Sequence, residues 1–248
     1  MLLVDTHAHL YAEQFADDRD EMLARAFAQQ VQRICLPNID QRSIEGMLAL
    51  EAAYPGRCFP MMGLHPCSVG EHYEAELAVV REWLDRRSFC AVGEIGIDLY
   101  WDKTFFEQQK KAFLTQLEWA VALDLPIVIH SRESTDIIID LLRERRREKL
   151  RGIFHCFGGT VAQGQAIIDL GFYLGIGGVL TFKKSGLDQT LRDLPVQRLV
   201  LETDAPYLAP TPYRGKRNES AYVSRVAQKI SRGQGAWTER VGANNNGQ

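Results

Sequence analysis

The sequence predicts an α/β protein, a (β/α)8 or TIM barrel, and three observations carry that prediction. Short apolar runs recur at intervals of roughly 30 residues, the length of one strand–helix unit in a barrel of about 250 residues. Runs such as Pro126-Ile127-Val128-Ile129 and Arg198-Leu199-Val200-Leu201 are continuous rather than alternating, as in a parallel sheet covered by helices. The 248 residues, 46% hydrophobic and 25% charged, supply one full-sized core that need not be split in two.

The expected strands are residues 2–6, 32–36, 58–62, 89–93, 126–130, 151–155, 172–176 and 198–202. Helical periodicity fills the intervals. In 106–123, Phe106, Lys110, Phe113, Leu117, Ala120 and Val121 recur at three- and four-residue steps. Residues 135–150 follow with Ile138, Leu141 and Leu142, then the run Arg143-Glu144-Arg145-Arg146-Arg147-Glu148-Lys149. The mixed signs of that run, just before a strand, read as a solvated helix end rather than a nucleic-acid patch. A last helix is expected over 219–230, with Tyr222, Val223, Val226 and Ile230 on one side. One barrel domain therefore spans 1–230. Residues 231–248, rich in Gly, Gln and Asn, read as an atypical, flexible tail.

Charge and composition narrow the function. A net charge of −3 and a pI near 6.1 give no global basic field for nucleic acid, so such a substrate must be captured locally. No apolar stretch reaches the roughly 20 residues of a membrane span, and the N-terminus lacks a secretory signal. Cys35, Cys58, Cys67, Cys90 and Cys156 are odd in number and form no C-x-x-C pair. They read as free thiols, mostly core fillers, and the expected location is the cytoplasm.

The chemistry lies where polar residues meet the carboxyl ends of the strands, the face on which such barrels build active sites. The first strand ends in Asp5-Thr6-His7-Ala8-His9, and the period of two puts both histidines on one face. The third ends in Gly63-Leu64-His65-Pro66, the fourth in Gly93-Glu94-Ile95-Gly96, the fifth in His130-Ser131-Arg132, and the sixth in His155-Cys156-Phe157. The eighth ends in Glu202-Thr203-Asp204-Ala205-Pro206. Of the 6 histidines only His72 lies elsewhere, and a satisfied core histidine would have to be invoked separately at each of the others. Four histidines with Glu94 and Asp204 suffice for two divalent cations. His7, His9 and Asp204 are assigned to one and His130 and His155 to the other, with Glu94 as bridge because a carboxylate can span two metals. Asp204 is also a candidate general base.

Together with Gly158-Gly159 and the later Tyr213-Arg214-Gly215-Lys216-Arg217-Asn218-Glu219, these motifs closely resemble the TatD family of metal-dependent deoxyribonucleases, in order from residue 4 to about residue 230. The resemblance implies an amidohydrolase-like barrel, divalent metals (Mg, Mn or Zn), and hydrolysis of DNA phosphodiesters, often as a 3′–5′ exonuclease. It puts the metal ligands on the six positions assigned above and His65 beside the substrate phosphate. The chain departs from the family after Ile230, where an Asn-containing segment with a terminal aromatic residue is usual.

Substrate contacts are expected on the same rim. Arg132 follows a ligand histidine by two residues. Lys183, Lys184, Arg214, Lys216 and Arg217 lie on loops where barrels often hold phosphate, and Tyr100 and Trp101 offer stacking surfaces for bases. Gly175-Ile176-Gly177-Gly178 lacks the spacing of a dinucleotide or P-loop motif and is read as allowing close backbone approach. The expected partner is DNA, single-stranded or at a 3′ end, with no membrane, no organic cofactor and no second subunit. Two rivals stay open: a binuclear hydrolase of another ester or an amide, and a metal-binding protein without activity. Binuclear amide hydrolases often bridge their metals with a carboxylated lysine on the fourth strand, where this chain carries Glu94.

Overall fold

The computed structural model describes residues 2–145 and 149–244, with 234–244 as backbone only. Eight parallel strands are present: β1 (Leu3–Asp5), β2 (Val31–Leu36), β3 (Cys58–Pro60), β4 (Val92–Asp98), β5 (Ile127–Arg132), β6 (Gly152–Phe154), β7 (Tyr173–Ile176) and β8 (Leu199–Leu201). They fall into a sheet β1-β2-β3 and a sheet β4-β5-β6-β7-β8. Backbone bonds Met62 N to Ala91 O (3.1 Å) and Gly93 N to Met62 O (3.1 Å) join β3 to β4. At the other seam Thr6 N donates to Leu201 O (3.0 Å), Asp204 N to His7 O (2.9 Å) and His9 N to Ala205 O (2.7 Å). The ring of eight predicted from the apolar runs is thereby complete.

Helices α1 (Arg19–Ala28), α2 (Gln41–Ala53), α3 (Tyr73–Arg86), α4 (Phe106–Ala122), α5 (Thr135–Glu144), α6 (Val161–Asp169), α7 (Leu187–Thr190) and α8 (Val223–Asn244) complete the units. Local chemistry starts two of them. Asp40 caps α2 by accepting from Arg42 N at 2.9 Å, and Ser43 answers from the third position. Thr160 and Gln163 form the same reciprocal box at α6. Packing decides the rest: Ile138, Ile139, Leu141 and Leu142 bury one face of α5, and Phe113, Leu117 and Ala120 bury one face of α4. Val121, expected on that face, is turned outward. Helix α5 ends at Glu144; Arg146, Arg147 and Glu148 of the charge run lie outside the described residues. Helix α8 continues past Ser231 to Asn244, so the change of composition there does not end the helix; residues 245–248 lie outside the described residues.

Strand β4 is buried along its whole length. Glu94, Gly96 and Asp98 share one of its faces by the period of two. Gly96 sits at φ 150°, and a Cβ there would fall 2.0 Å from His130 O, so glycine is what lets β5 bring His130 beside Glu94.

Candidate metal centre

The six predicted ligands converge at the carboxyl ends of the strands. Glu94, nearly fully buried, presents its two oxygens to different histidines. Oε2 lies 3.0 Å from His7 Nε2 and 3.6 Å from His9 Nε2, while Oε1 lies 2.8 Å from His130 Nδ1, 3.4 Å from His65 Nε2 and 3.7 Å from His155 Nε2. Asp204 Oδ1 stands across the cluster, 3.9 Å from His7, 3.7 Å from His9 and 4.0 Å from His155. His155 stacks on His7 with ring centroids 3.6 Å apart, so it borders both halves of the cluster.

The surroundings of each ring assign its protons. Tyr11 donates its hydroxyl to Pro37 O (2.6 Å), so at 3.0 Å it must accept from His9 Nδ1–H, which leaves the Nε2 lone pair facing Glu94. His130 Nε2 lies 2.8 Å from Asp98 Oδ2 and donates there, so that the Nδ1 side, which faces Glu94 Oε1 at 2.8 Å, is the one that would present a lone pair to the centre once its proton is lost. His155 Nδ1 is 3.0 Å from Glu202 Oε1, close but misaligned for a hydrogen bond, and the carboxylate favours the same Nδ1–H form. His65 is the opposite case. Its Nδ1 accepts from Cys67 N at 3.0 Å, so the neutral ring keeps its hydrogen on Nε2 and offers the centre a donor rather than a lone pair. This separates His65 from the other histidines on physical grounds, although its position would allow it to join Glu94 and His130 around one ion.

The donor set fits a divalent cation. His7 Nε2 and His9 Nε2 lie only 3.3 Å apart against Glu94 Oε2, an arrangement of lone pairs that a cation relieves. Burial alone would lower the pKa of His130, but hydrogen bonds to Asp98 and Glu94 outweigh it and push it up to about 9. A cation held by His130 would displace that proton, as metal binding ordinarily does. Burial pushes the Asp204 carboxyl up to about 6 against the attraction of His155 and His7, and the Glu202 carboxyl up to about 7.

The sequence reading missed the supporting residues. Asp98 holds His130 by Oδ2 and accepts from Tyr100 N (2.9 Å) and Trp101 N (3.1 Å) by Oδ1. Its place on the Glu94 face was available from strand alternation. Glu202 accepts from Cys156 N at 2.7 Å and occupies space that exists because residue 175 is glycine; a Cβ there would lie 2.2 Å from Glu202 Oε2. From α4, Gln109 brackets Asp98 through its backbone N (2.8 Å) and O (3.2 Å), and two turns later Gln116 does the same for Leu64, beside His65 (2.7 and 3.3 Å). Replacing Asp98 by Asn removes the charge that orients His130 and should weaken metal affinity about 10- to 100-fold with the melting temperature little changed. Metal competition against a chromogenic chelator measures this, and unaltered affinity would deny Asp98 that role.

Of the expected substrate contacts, Arg132 and Tyr100 come together, the guanidinium 3.7 Å from the ring centroid and 5.3 Å from that of Trp101. Arg214 stacks on Phe182 at 3.5 Å, on the opposite side of the mouth between the loops after β7 and β8. Arg217 is not available as a phosphate contact: it bonds both oxygens of Asp18 (2.7 Å each) and Gln14 O (2.6 Å). Arg25 joins that network through Asp18 and Glu219, tying α1 to the segment before α8.

A cluster of histidines and carboxylates at the carboxyl mouth of a parallel barrel defines the class, a metal-dependent hydrolase. The family profile described as TatD related DNase matches residues 4–245. The chain is 37% identical over 231 residues to the metal-dependent hydrolase YabD of Bacillus subtilis, covering 93% of this chain and 90% of that one. It is 34% identical over 240 residues to the 3′-5′ ssDNA/RNA exonuclease TatD of Escherichia fergusonii, covering 94% and 92%. The crystal structure of YjjV, a TatD homologue from Escherichia coli K12, superposes with a TM-score of 0.87 at 30% identity, covering 93% of this chain and 90% of that one. The chain belongs to the TatD family of metal-dependent hydrolases.

Proposed function

We propose that this chain is a cytoplasmic, monomeric two-metal phosphodiesterase that shortens single-stranded DNA from its 3′ end. The observation that carries the reading is Glu94, whose two oxygens face separate groups of imidazoles and so fit a bridge between two cations. The ligands are His7, His9, Glu94, His130, His155 and Asp204, and Mg, Mn or Zn suits such a mixed set. The name of the Escherichia fergusonii relative supports a single-stranded nucleic-acid substrate and the 3′-5′ polarity.

Bound cations supply acidification of water and charge neutralisation at the attacked phosphate. The protein's own groups do the rest. Asp204 accepts the proton of the attacking water. His65 Nε2–H donates to a phosphate oxygen. Arg132, flat on Tyr100 and without a carboxylate partner among the described residues, offers its fork of N–H groups to a neighbouring phosphate. Arg214 on Phe182 does so on the far side.

Metal-stripped protein given 3′- or 5′-end-labelled single-stranded DNA, with Mg²⁺, Mn²⁺ or Zn²⁺ restored singly, tests the reading. Metal-dependent loss of nucleotides from the 3′ end is the expected result. A folded, metal-loaded protein that leaves DNA intact would move the substrate to another ester or an amide. Arg132→Ala should raise KM by about tenfold, a typical loss for one charge-assisted contact, with metal content unchanged; loss of metal would contradict its assignment to substrate.

A further inference from the structure

A second cavity opens beside the metal centre, of about 230 Å³, between the loop that continues from His65 and the loop that follows β4. Pro66 and Val69 form one wall, Trp101 and Phe105 the other; Gln109 lies at its base, and Asp102 also lines it. Three observations mark it as built rather than left over. Trp101 is 70% exposed, an unusual position for the largest apolar side chain unless it faces a ligand. The Trp101 backbone is bonded to Asp98, the carboxylate that also orients His130, so the wall is held in register with the centre. The opposite wall begins at Pro66, directly after His65, whose ring faces Glu94 at 3.4 Å. Each wall is therefore anchored on a residue of the cluster.

We infer that this cavity receives a base of the bound strand and prefers bases that carry an exocyclic amine. The inference rests on the nuclease reading above and deepens it. Trp101 and Phe105 supply a stacking wall that any base can use. Asp102 adds selection. It is exposed and its bonds go to Thr104 alone, from the backbone N at 2.8 Å and from the side chain, which leaves carboxylate lone pairs free to accept. Adenine, cytosine and guanine each carry an amino group with two N–H donors, whereas thymine offers a single imide N–H set between two carbonyl acceptors that a carboxylate repels. Arg132, within 5.3 Å of the Trp101 ring centroid, stands where it can hold the phosphate next to that base. Selection here depends on the base beside the scissile bond and needs no pairing partner, as suits a single strand.

The test compares oligo-dC, oligo-dT and an oligonucleotide of the same length with abasic sites, using the metal-loaded full chain. Wild-type kcat/KM should favour dC over dT by about tenfold, the worth of one good polar base contact. Asp102→Asn, whose amide offers both a donor and an acceptor, should bring dC and dT to within about twofold. Trp101→Ala should raise KM for both by roughly 5- to 150-fold, the measured range of one stacked base, and bring it near that of the abasic strand. A dC:dT ratio that Asp102→Asn leaves unchanged, or a KM that Trp101→Ala leaves unchanged, with hydrolysis continuing, would overturn the inference and leave the nuclease reading standing. No hydrolysis of any of the three strands by wild type would overturn both. Both side chains are exposed, so the variants are expected to fold, and an unchanged melting temperature confirms that the comparison is fair.

Discussion

Glu94→Gln is expected to cut hydrolysis by at least about 10³-fold while the barrel stays folded. The substitution keeps the shape of the side chain and removes the charge at the point where His7, His9, His65, His130 and His155 converge. Burial by itself would raise the Glu94 carboxyl, but the attraction of His7, His65 and His155 and the hydrogen bond from His130 hold it well below the usual carboxylate range. It is thus the anion of the site throughout the physiological range. A neutral amide cannot bridge two cations, so metal measured by mass spectrometry should fall below one ion per chain while the circular dichroism is retained. Wild-type metal content together with wild-type activity in this variant would remove Glu94 from the bridging position.

Asp5→Ala is expected to give the largest loss of stability. This buried carboxylate accepts from Thr203 N (2.9 Å), Thr203 Oγ1 (2.6 Å), Ser220 Oγ (2.6 Å) and, more weakly, His7 N (3.4 Å). It pins the end of β1 to the loop after β8, across the seam that closes the ring and between the residues that carry His7 and Asp204. Stranding its buried donors should cost about 3 kcal/mol and lower the melting temperature by roughly 6–12 °C for a chain of this size. The effect also has a pH signature. Burial pushes Asp5 from 3.8 up to about 6 despite those hydrogen bonds. Because the folded value is the higher one, the fold binds the proton more tightly than the unfolded chain. The contribution of Asp5 is therefore full below about pH 4 and declines as pH rises to 6. The gap in melting temperature between wild type and variant should narrow over that window and stay constant above it, as calorimetry at several pH values will reveal.

The strand ends were legible because chemistry at the mouth of a barrel interrupts apolar runs with residues that have no reason to be there. His7, His9, Glu94, His130, His155 and Asp204 stood out in this way, and all six converge. What escaped notice lies behind them. Asp98 and Glu202 sit four and two residues from a ligand on the same strand or its extension and look from sequence like further polar residues of a loop. Only the packing of β4 on β5, and the room left by Gly175, gives them partners. Gln109 and Gln116 were hidden for a different reason: polar residues on a helix read as its solvent face, whereas here they point inward to bracket Asp98 and Leu64. Arg217 shows the converse error. A basic residue on a loop beside the site reads as a phosphate contact, but Asp18, nearly two hundred positions earlier in the chain, claims it. Pairings at that separation are not visible in a local pattern.

The central claim, that hydrolysis needs two cations bridged by Glu94, is tested most directly by titrating metal into the stripped protein while following both occupancy and cleavage of single-stranded DNA. The first equivalent should bind with little cleavage, and activity should rise with the second, reaching its plateau at two ions per chain. Full activity at one equivalent, or a plateau of binding at one, would contradict it.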